Sequence, residues 1–344
     1  MKKSASTRSR RSCKAIRAGC LIPPFLKEVA DRPEDLKSLL SKTQVLPLEK
    51  GEFDSKSMVN LILTTSAQHF RAYFEDRKEF RLVPLGKNKD GKNVFPDREV
   101  FVNLPDLPKD GRFVILHSGA PNPNDGLAEL EMILSILKRE GQKDVEVFFS
   151  YFPYSMQDKL HGAGETIAAE DVLTKLISYY GVKKVYAIDP HFHGASWLKS
   201  LPFESVSAHE TLLAAVRKDY PDAVFVAPDM GHTKRTKGLK GVQKTRVDSY
   251  TVHLAEDEAL FGSLKNKVVA VVDDLVETGG TMVRFQEECK KYGPKEMVAV
   301  VTHGLLPEGV KRLQKNYSKL FLSNSIVEPA ANTNIAPLIA EALV

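Results

Sequence analysis

The chain has 344 residues, of which 42% are hydrophobic and 27% are charged. These proportions are typical of globular proteins, and the length is sufficient for two domains of ordinary size. No apolar run approaches the roughly 18 residues that a membrane-spanning helix needs. The composition therefore predicts a soluble protein without a membrane segment.

The net charge of +5 lies almost entirely at the beginning of the chain. Residues 1–20 contain seven basic side chains and no acidic one, whereas the remainder contains 42 basic and 44 acidic residues. A nucleic-acid-binding protein usually carries an excess of basic residues on its folded body. We therefore expect no nucleic-acid partner.

The Arg- and Ser-rich leader is open to three interpretations: a disordered basic arm, an organelle-targeting segment, or an artefact of the start codon. Residues 21–57 contain proline breakers and no recognisable chemistry, so we treat 1–57 as a leader and extension of unknown role. Cys13, Cys20 and Cys289 form neither a disulfide framework nor a metal-binding pattern. We expect a cytoplasmic protein, with organelle import through the leader left open.

From about residue 111 onward, strand patterns alternate with helix patterns. Continuously apolar, β-branched runs are typical of strands buried on both faces of a parallel sheet. They predict strands at 113–117, 145–150, 184–189, 223–228, 268–272, 297–302 and 320–322. Amphipathic spacing predicts helices at 125–140, 168–180, 210–218 and 281–292, three of which end at Gly141, Gly181 and Gly293. This order predicts a doubly wound α/β fold with parallel sheets.

Polar residues follow four of the predicted strands. Because ligands in such sheets bind beyond the carboxyl ends of the strands, these residues are the first candidates for a site. The four segments are SGAP at 118–121, Asp189-Pro190-His191, DMGH at 229–232 and Asp273-Asp274.

The segment at 273–281, DDLVETGGT, has the properties of a phosphate-binding loop. Glycines let backbone N–H groups surround an anion, and the following helix N-terminus adds its positive dipole end. Two adjacent carboxylates could hold ribose hydroxyls or a hydrated magnesium ion. An acidic strand-to-helix turn would account for one of these features, but the combination predicts a ribose-phosphate site. Its candidate residues are Asp273, Asp274, Glu277, Thr278, Gly279, Gly280 and Thr281.

This nonapeptide resembles the PRPP-binding motif of phosphoribosyltransferases and of ribose-phosphate pyrophosphokinases. Other segments between residue 58 and the C-terminus are similar to the pyrophosphokinases, in the same order along the chain. They are VFPDRE at 94–99, SGAPNPND at 118–125, YFPYSMQDK at 151–159, Asp189-Pro190-His191, APDMG at 227–231 and QKTR at 243–246.

The resemblance implies two phosphoribosyltransferase-type domains, at 58–203 and 204–344, that transfer pyrophosphate from ATP to ribose 5-phosphate. It implies Mg²⁺ as the cofactor and a homo-oligomer built from dimers, possibly a hexamer. The implied ATP-binding residues are Phe95, Asp97, Glu99, Gln157, Asp158 and Lys159. Asp229 is an implied ribose-phosphate residue, the implied metal ligands are His191, Asp229 and Asp189, and the implied catalytic residues are Lys244, Arg246 and His191.

The charges of Lys244 and Arg246 also favour a catalytic role for these two residues. Two cations close together on a mobile segment could neutralise the charge on the transferring pyrophosphoryl group. A solvated basic loop is the alternative, because Lys234, Arg235, Lys237 and Lys240 lie nearby in the sequence. His191 follows Asp189 at a strand end, whereas His193, His232 and His303 remain unassigned.

Two positions depart from the pyrophosphokinase pattern. Met156 stands where the family commonly has arginine, and Arg98 stands where it has glycine. Two alternatives therefore stay open: a catalytically silent regulatory subunit related to the pyrophosphokinases, and a phosphoribosyltransferase, which would share the phosphate loop.

Overall fold

The computed structural model describes residues 58–228, 240–241, 244–246, 252–254 and 264–344. All of them belong to one compact unit, Asp54–Val344. The leader and extension at 1–57 lie outside the described residues.

The first sheet contains six parallel strands in the order β2-β1-β3-β4-β5-β6. Its central strands are almost entirely buried, as their apolar sequences predict. The strands are β1 Val59–Leu63, β2 Phe80–Val83, β3 Arg112–Ser118, β4 Val145–Tyr151, β5 Lys184–Ile188 and β6 Phe203–Val206.

Helices accompany this sheet, and their apolar faces bury the strands. Leu130, Ile133 and Leu137 lie on one stripe of the longest helix and join a buried cluster with Phe113 and Ile115 of β3. The helices are α1 Arg71–Glu75, α2 Pro123–Arg139 and α3 Ala168–Ser178, with 3₁₀ turns at Thr65–Phe70 and Ser196–Ser200.

The second sheet is also parallel and has the order β13-β12-β11-β7-β8. Its strands are β7 Val224–Ala227, β8 Lys240–Gly241, β11 Val268–Val276, β12 Glu296–Gly304 and β13 Lys319–Leu322. Strands β9 Lys244–Arg246 and β10 Val252–Leu254 form a separate antiparallel ribbon. The helices are α4 His209–Asp219, α5 Gly280–Lys290, α6 Pro307–Asn316 and α7 Ala336–Leu343.

One buried cluster joins the two sheets. It includes Leu116 of β3, Val272 of β11, Leu212 of α4 and Ile339 of α7. The C-terminal helix also reaches back to the first sheet, because the Arg112 guanidinium donates a hydrogen bond of 2.6 Å to the carbonyl oxygen of Leu343. The two sheets are therefore packed as one body, with a shared apolar core.

The structure confirms the doubly wound parallel α/β fold and the strands predicted for it, except that two strands run further than predicted. The strands predicted at 268–272 and 297–302 continue to Val276 and Gly304, because the pairing of β11 with β12 extends as far as these two residues. Asp273 and Asp274 therefore lie within the strand and not after it. Gly141, Gly181 and Gly293 all have positive φ angles, as expected where a glycine ends a helix.

Several elements were not predicted from the sequence. They are the strands β1, β2, β6, β8, β9 and β10 and the helices α1, α6 and α7. Strand β6 has only four residues and is partly exposed, so it lacks the apolar run that marks β3 or β4. It pairs with β5 and spans the predicted domain boundary at 203/204, so the first sheet extends as far as Val206.

None of the helices in the described part of the chain is long and apolar enough to cross a membrane.

Candidate active site

His191 lies where the carboxyl ends of the two sheets meet. It follows β5, and its Nδ1 atom is 3.2 Å from Oδ2 of Asp274 on β11. Its backbone N–H donates a hydrogen bond of 2.9 Å to Oγ of Ser155, in the segment that follows β4. His191 therefore connects two candidate segments of the first sheet with the acidic end of β11 in the second.

The two members of this contact differ in exposure. The side chain of His191 is 35% exposed, whereas that of Asp274 is 4% exposed. The neighbouring Asp273 is half-buried, and its Oδ1 accepts a hydrogen bond from the Asp274 backbone N–H. The end of β11 thus presents one accessible and one buried carboxylate beside an accessible imidazole.

Asp189, two residues before His191, is buried between the sheets. Its Oδ2 accepts hydrogen bonds from Oγ1 of Thr302 at 2.9 Å and from the backbone N–H of Ala208 at 3.1 Å. Its Oδ1 is 3.9 Å from Nδ1 of His209. The carboxylate of Asp189 therefore joins the end of β5 to β12. That Asp189 also binds a metal ion stays a prediction.

The phosphate loop leads from β11 into α5. Gly279 precedes the helix with φ 75°, a left-handed conformation that favours glycine, and its carbonyl accepts a hydrogen bond from the Val283 N–H. The first turn of α5 contains no acidic side chain, so nothing on the helix itself neutralises its positive dipole end. Glu277, Thr278 and Thr281 are exposed around this helix N-terminus. This geometry suits a phosphate group.

The segment at 151–159 borders the phosphate loop. Tyr151 ends β4, and burial, together with the charges of Glu277 and Asp274, raises the pKa of its phenol to about 12. Beyond it, Gln157 and Lys159 are exposed, and Asp158 is half-buried with its carbonyl accepting a hydrogen bond from the Trp197 indole. Of the predicted ATP-binding side chains of this segment, Gln157 and Lys159 are accessible, and Asp158 is partly so.

Phe95, Asp97 and Glu99 form an exposed loop closed by its own hydrogen bonds. The Phe95 N–H donates to the carbonyl of Glu99, and the Glu99 N–H donates to Oδ1 of Asp97. The Phe95 ring is 40% exposed and packs edge-on against Phe101. Arg98 has φ 75°, the left-handed region in which the family's glycine is favoured, so this chain keeps the turn with an arginine.

Three predicted residues cannot be placed as side chains. Asp229 lies outside the described residues, whereas Lys244 and Arg246 lie on β9, of which only the backbone is described.

Sequence reasoning missed Ser155, Tyr151 and Thr302 as residues of this region. Ser155 and Tyr151 lie in the segment similar to the pyrophosphokinases, but only their side-chain contacts distinguish them from their neighbours. Thr302 and His303 follow the apolar part of β12, so the search for polar residues at strand ends could have found them. His303 is buried, and its Nε2 donates a hydrogen bond to the carbonyl of Ile188.

Protein-family models match both halves of the chain. The N-terminal domain of ribose phosphate pyrophosphokinase matches residues 83–181, and the phosphoribosyl transferase domain matches residues 220–333. The second match contains the phosphate loop.

Curated relatives agree with these models over most of the chain. A ribose-phosphate pyrophosphokinase of Pyrococcus furiosus is 26% identical over 294 residues, which covers 82% of this chain and 100% of the relative. Another, of Mycoplasma genitalium, is 29% identical over 285 residues, with 73% and 84% of the two chains covered.

The fold has a counterpart among solved structures. Phosphoribosylpyrophosphate synthetase from Mycobacterium smegmatis superposes with a TM-score of 0.70 at 20% identity, covering 83% of this chain and 97% of that one. At this identity the likeness shows a common fold.

Proposed function

Since this chain belongs to the ribose-phosphate pyrophosphokinase family, we propose that it transfers pyrophosphate from ATP to ribose 5-phosphate. The anomeric oxygen of the sugar bonds to the β-phosphorus of ATP, the bond from that phosphorus to the α-phosphate oxygen breaks, and the hydroxyl proton is lost. The products are PRPP and AMP, for nucleotide biosynthesis. The observation that carries the proposal is the contact of His191 with Asp274, which joins the two halves of the site.

The acceptor half is the end of β11 and the loop into α5. Backbone N–H groups at 278–281 and the hydroxyls of Thr278 and Thr281 hold the 5-phosphate. The carboxylates of Asp273 and Asp274 accept hydrogen bonds from the ribose hydroxyls, and Asp229 and Glu277 are assigned to the same ligand. Placing both ends of the sugar orients its anomeric hydroxyl toward His191.

The donor half binds ATP through two segments. The proposed contacts are Phe95, Asp97 and Glu99 in the exposed loop, and Gln157, Asp158 and Lys159 after β4. Lys244 and Arg246 on β9 supply positive charge to the transferring group, because phosphoryl transfer depends mainly on positioning and charge stabilisation.

Mg²⁺ is the proposed cofactor, and it would shield the negative charge of the ATP phosphates. It prefers oxygen ligands and commonly binds through one or two carboxylates, waters and substrate phosphates. Asp274 and His191 suit such a site better than Asp189, whose Oδ2 already accepts two hydrogen bonds. Asp229 is assigned to the metal from the resemblance alone. Among the described residues, no group of three or more His, Cys, Asp or Glu side chains is arranged to hold a metal ion by itself.

A homo-oligomer built from dimers is proposed for the assembly, in the cytoplasm. Val94 and Phe95 are adjacent apolar side chains that are 42% and 40% exposed. An exposed apolar pair on a loop is well suited to burial against a second copy of the chain.

One assay tests the proposed reaction. The purified protein is incubated with Mg²⁺, ATP and ribose 5-phosphate, and AMP and PRPP are measured. Equal amounts of both products are expected. If folded protein forms neither product, the proposed reaction is wrong and a catalytically silent regulatory subunit becomes the better interpretation. If the protein instead consumes added PRPP together with a nucleobase, it is a phosphoribosyltransferase.

Lys244→Ala tests the assignment of the donor half. We expect kcat to fall about 100-fold while the KM for ribose 5-phosphate changes by less than about threefold, since the charge acts on the transition state. Lys240→Ala removes the same charge from β8 and should retain kcat. Equal losses in the two variants, or a parallel loss of ribose 5-phosphate binding in Lys244→Ala, would contradict the assignment.

A further inference from the structure

Helix α6 packs directly beneath the phosphate loop, at a point where only glycine fits. A Cβ atom built on Gly309 would lie 2.1 Å from the carbonyl oxygen of Glu277 and 3.2 Å from the carbonyl carbon of Thr278. The separation of 2.1 Å from a backbone atom is far below van der Waals contact, so any larger residue would displace the loop or the helix. The first turn of α6 therefore supports the backbone that is proposed to hold the 5-phosphate.

Arg312 lies one turn further along α6, on the same face as Gly309. A Cβ atom built on Gly279 would lie 3.6 Å from Cδ of Arg312, and one built on Gly280 would lie 3.9 Å from its Nη1. The guanidinium thus lies beside the two glycines at the N-terminus of α5. Within the described part of the chain, no salt bridge neutralises Arg312.

The guanidinium opens onto a groove of about 600 Å³ between α5 and α6. Arg284 and Glu287 of α5 face this groove, together with Glu308, Lys311 and Lys315 of α6. With Arg312, the formal charges around the groove are four positive and two negative. Among the side chains that line this groove, Arg312 lies against Gly279 and Gly280, so its charge adds to the positive end of the α5 dipole.

We propose that Arg312 is a positioning residue for ribose 5-phosphate. Its guanidinium, held against Gly279 and Gly280, raises the affinity of the phosphate loop for the sugar phosphate. This inference rests on the proposed function and assigns it a residue outside the PRPP-binding motif. A fixed positive charge near a bound phosphate contributes binding energy in both the ground state and the transition state. The effect should therefore appear in KM for the sugar phosphate and leave kcat unchanged.

The test compares Arg312→Gln with Arg312→Lys and with Lys315→Gln. The last variant removes the same charge from the same helix, about 4.5 Å further along its axis from the loop. At about 0.03 M salt we expect R312Q to raise the KM for ribose 5-phosphate about five- to tenfold. The KM for ATP and kcat should remain within about twofold, R312K should retain most of the affinity, and K315Q should match the wild type.

Salt dependence separates a charge effect from a structural one. At about 0.5 M salt the difference between R312Q and the wild type should shrink to about twofold, because ions screen the exposed guanidinium. Thermal unfolding midpoints are measured for all variants, and R312K supplies the comparison if R312Q is destabilised. An unchanged KM in R312Q, an equal rise in R312K, an equal effect of K315Q, or a rise in KM that is independent of salt would overturn the proposal.

Failure of this inference is distinguishable from failure of the proposed function. If the wild-type protein forms no AMP and PRPP, the proposed reaction is wrong. If the wild type turns over and R312Q has the same KM for ribose 5-phosphate, the reaction stands and Arg312 has no part in sugar-phosphate binding.

Discussion

Three histidines that follow apolar strand residues have different surroundings in the folded chain. His117 and His303 are buried, and burial lowers the pKa of both imidazoles. His191 is one-third exposed and contacts Asp274. All three occupy similar positions in the sequence, at the ends of strands, so the side chains packed around each one decide whether it can reach a substrate. Only His191 among these three is placed to act on a ligand.

His117→Gln tests the consequence of a buried neutral histidine for stability. Burial lowers the pKa of His117 from 6.5 to about 3, so the unfolded chain binds a proton that the folded chain excludes between these values. Stability should therefore fall as the pH decreases from about 6.5 toward 3, by at most about 1.4 kcal/mol per pH unit for this group. In H117Q this contribution is absent.

The measurement is the free energy of unfolding in urea at several pH values between about 5 and 7.5. Loss of the His117 contacts lowers the free energy of unfolding of H117Q by the same amount at every pH. Loss of the titrating imidazole changes only the slope of the free energy of unfolding against pH. If the free energies of unfolding of the wild type and H117Q change in parallel below about pH 6.5, the lowered pKa of His117 does not contribute to the pH dependence of stability.

At the scale of elements, the phosphate site depends on the register of β11 and on the close approach of α6. Extended pairing with β12 carries Asp273 and Asp274 to the edge where His191 lies. Gly309 then lets α6 approach the loop backbone. The motif at 273–281 thus supplies the proposed ligand-binding groups, and two neighbouring elements, β12 and α6, determine where they are held.

Gly309→Ala should damage substrate binding more than stability. The added methyl group would meet the Glu277 carbonyl at 2.1 Å, so the loop or helix must shift. Replacing a helical glycine by alanine also stabilises the helix by about 1 kcal/mol, which offsets part of the strain. We expect the KM for ribose 5-phosphate to rise at least about tenfold, with a thermal midpoint within about 5 °C of the wild type.

Gln314→Ala serves as the control, because it changes an exposed position on the same helix. It should have wild-type kinetics. A Gly309→Ala protein with an unchanged KM would show that the loop can accommodate the methyl group without losing its binding geometry.

At the scale of the whole molecule, buried polar contacts fix the two sheets relative to each other. Asp189 at the end of β5 binds Thr302 of β12, and His303 of β12 binds the carbonyl of Ile188. These contacts lie directly behind His191. The same interface that joins the sheets therefore determines the distance between the two halves of the site.

Thr302→Val tests this link. The variant is nearly isosteric and leaves the buried Asp189 carboxylate with one hydrogen bond fewer, so we expect a loss of about 1–3 kcal/mol in the free energy of unfolding. Thr166→Val removes a hydroxyl that donates to Asp171 at an exposed site, and it should change stability by less than about 0.5 kcal/mol. Urea denaturation measures both, and equal effects would show that the link between the sheets contributes nothing beyond a surface hydrogen bond.

The sequence by itself determined the fold class and the phosphate loop, because both depend on local patterns. Continuous apolar runs require burial on two faces, and the glycines and carboxylates of 273–281 carry their chemistry within nine residues. The resemblance carried by those residues and the other pyrophosphokinase-like segments also indicated the family, which the protein-family models confirm.

The tertiary structure alone decided which residues meet. The contact of His191 with Asp274 spans 83 positions, and that of Asp189 with Thr302 spans 113. No local pattern encodes such pairings, because they arise from packing two sheets around one core. The same packing brings Gly309 and Arg312 close to the loop at 277–280, and the sequence gives no sign of this approach.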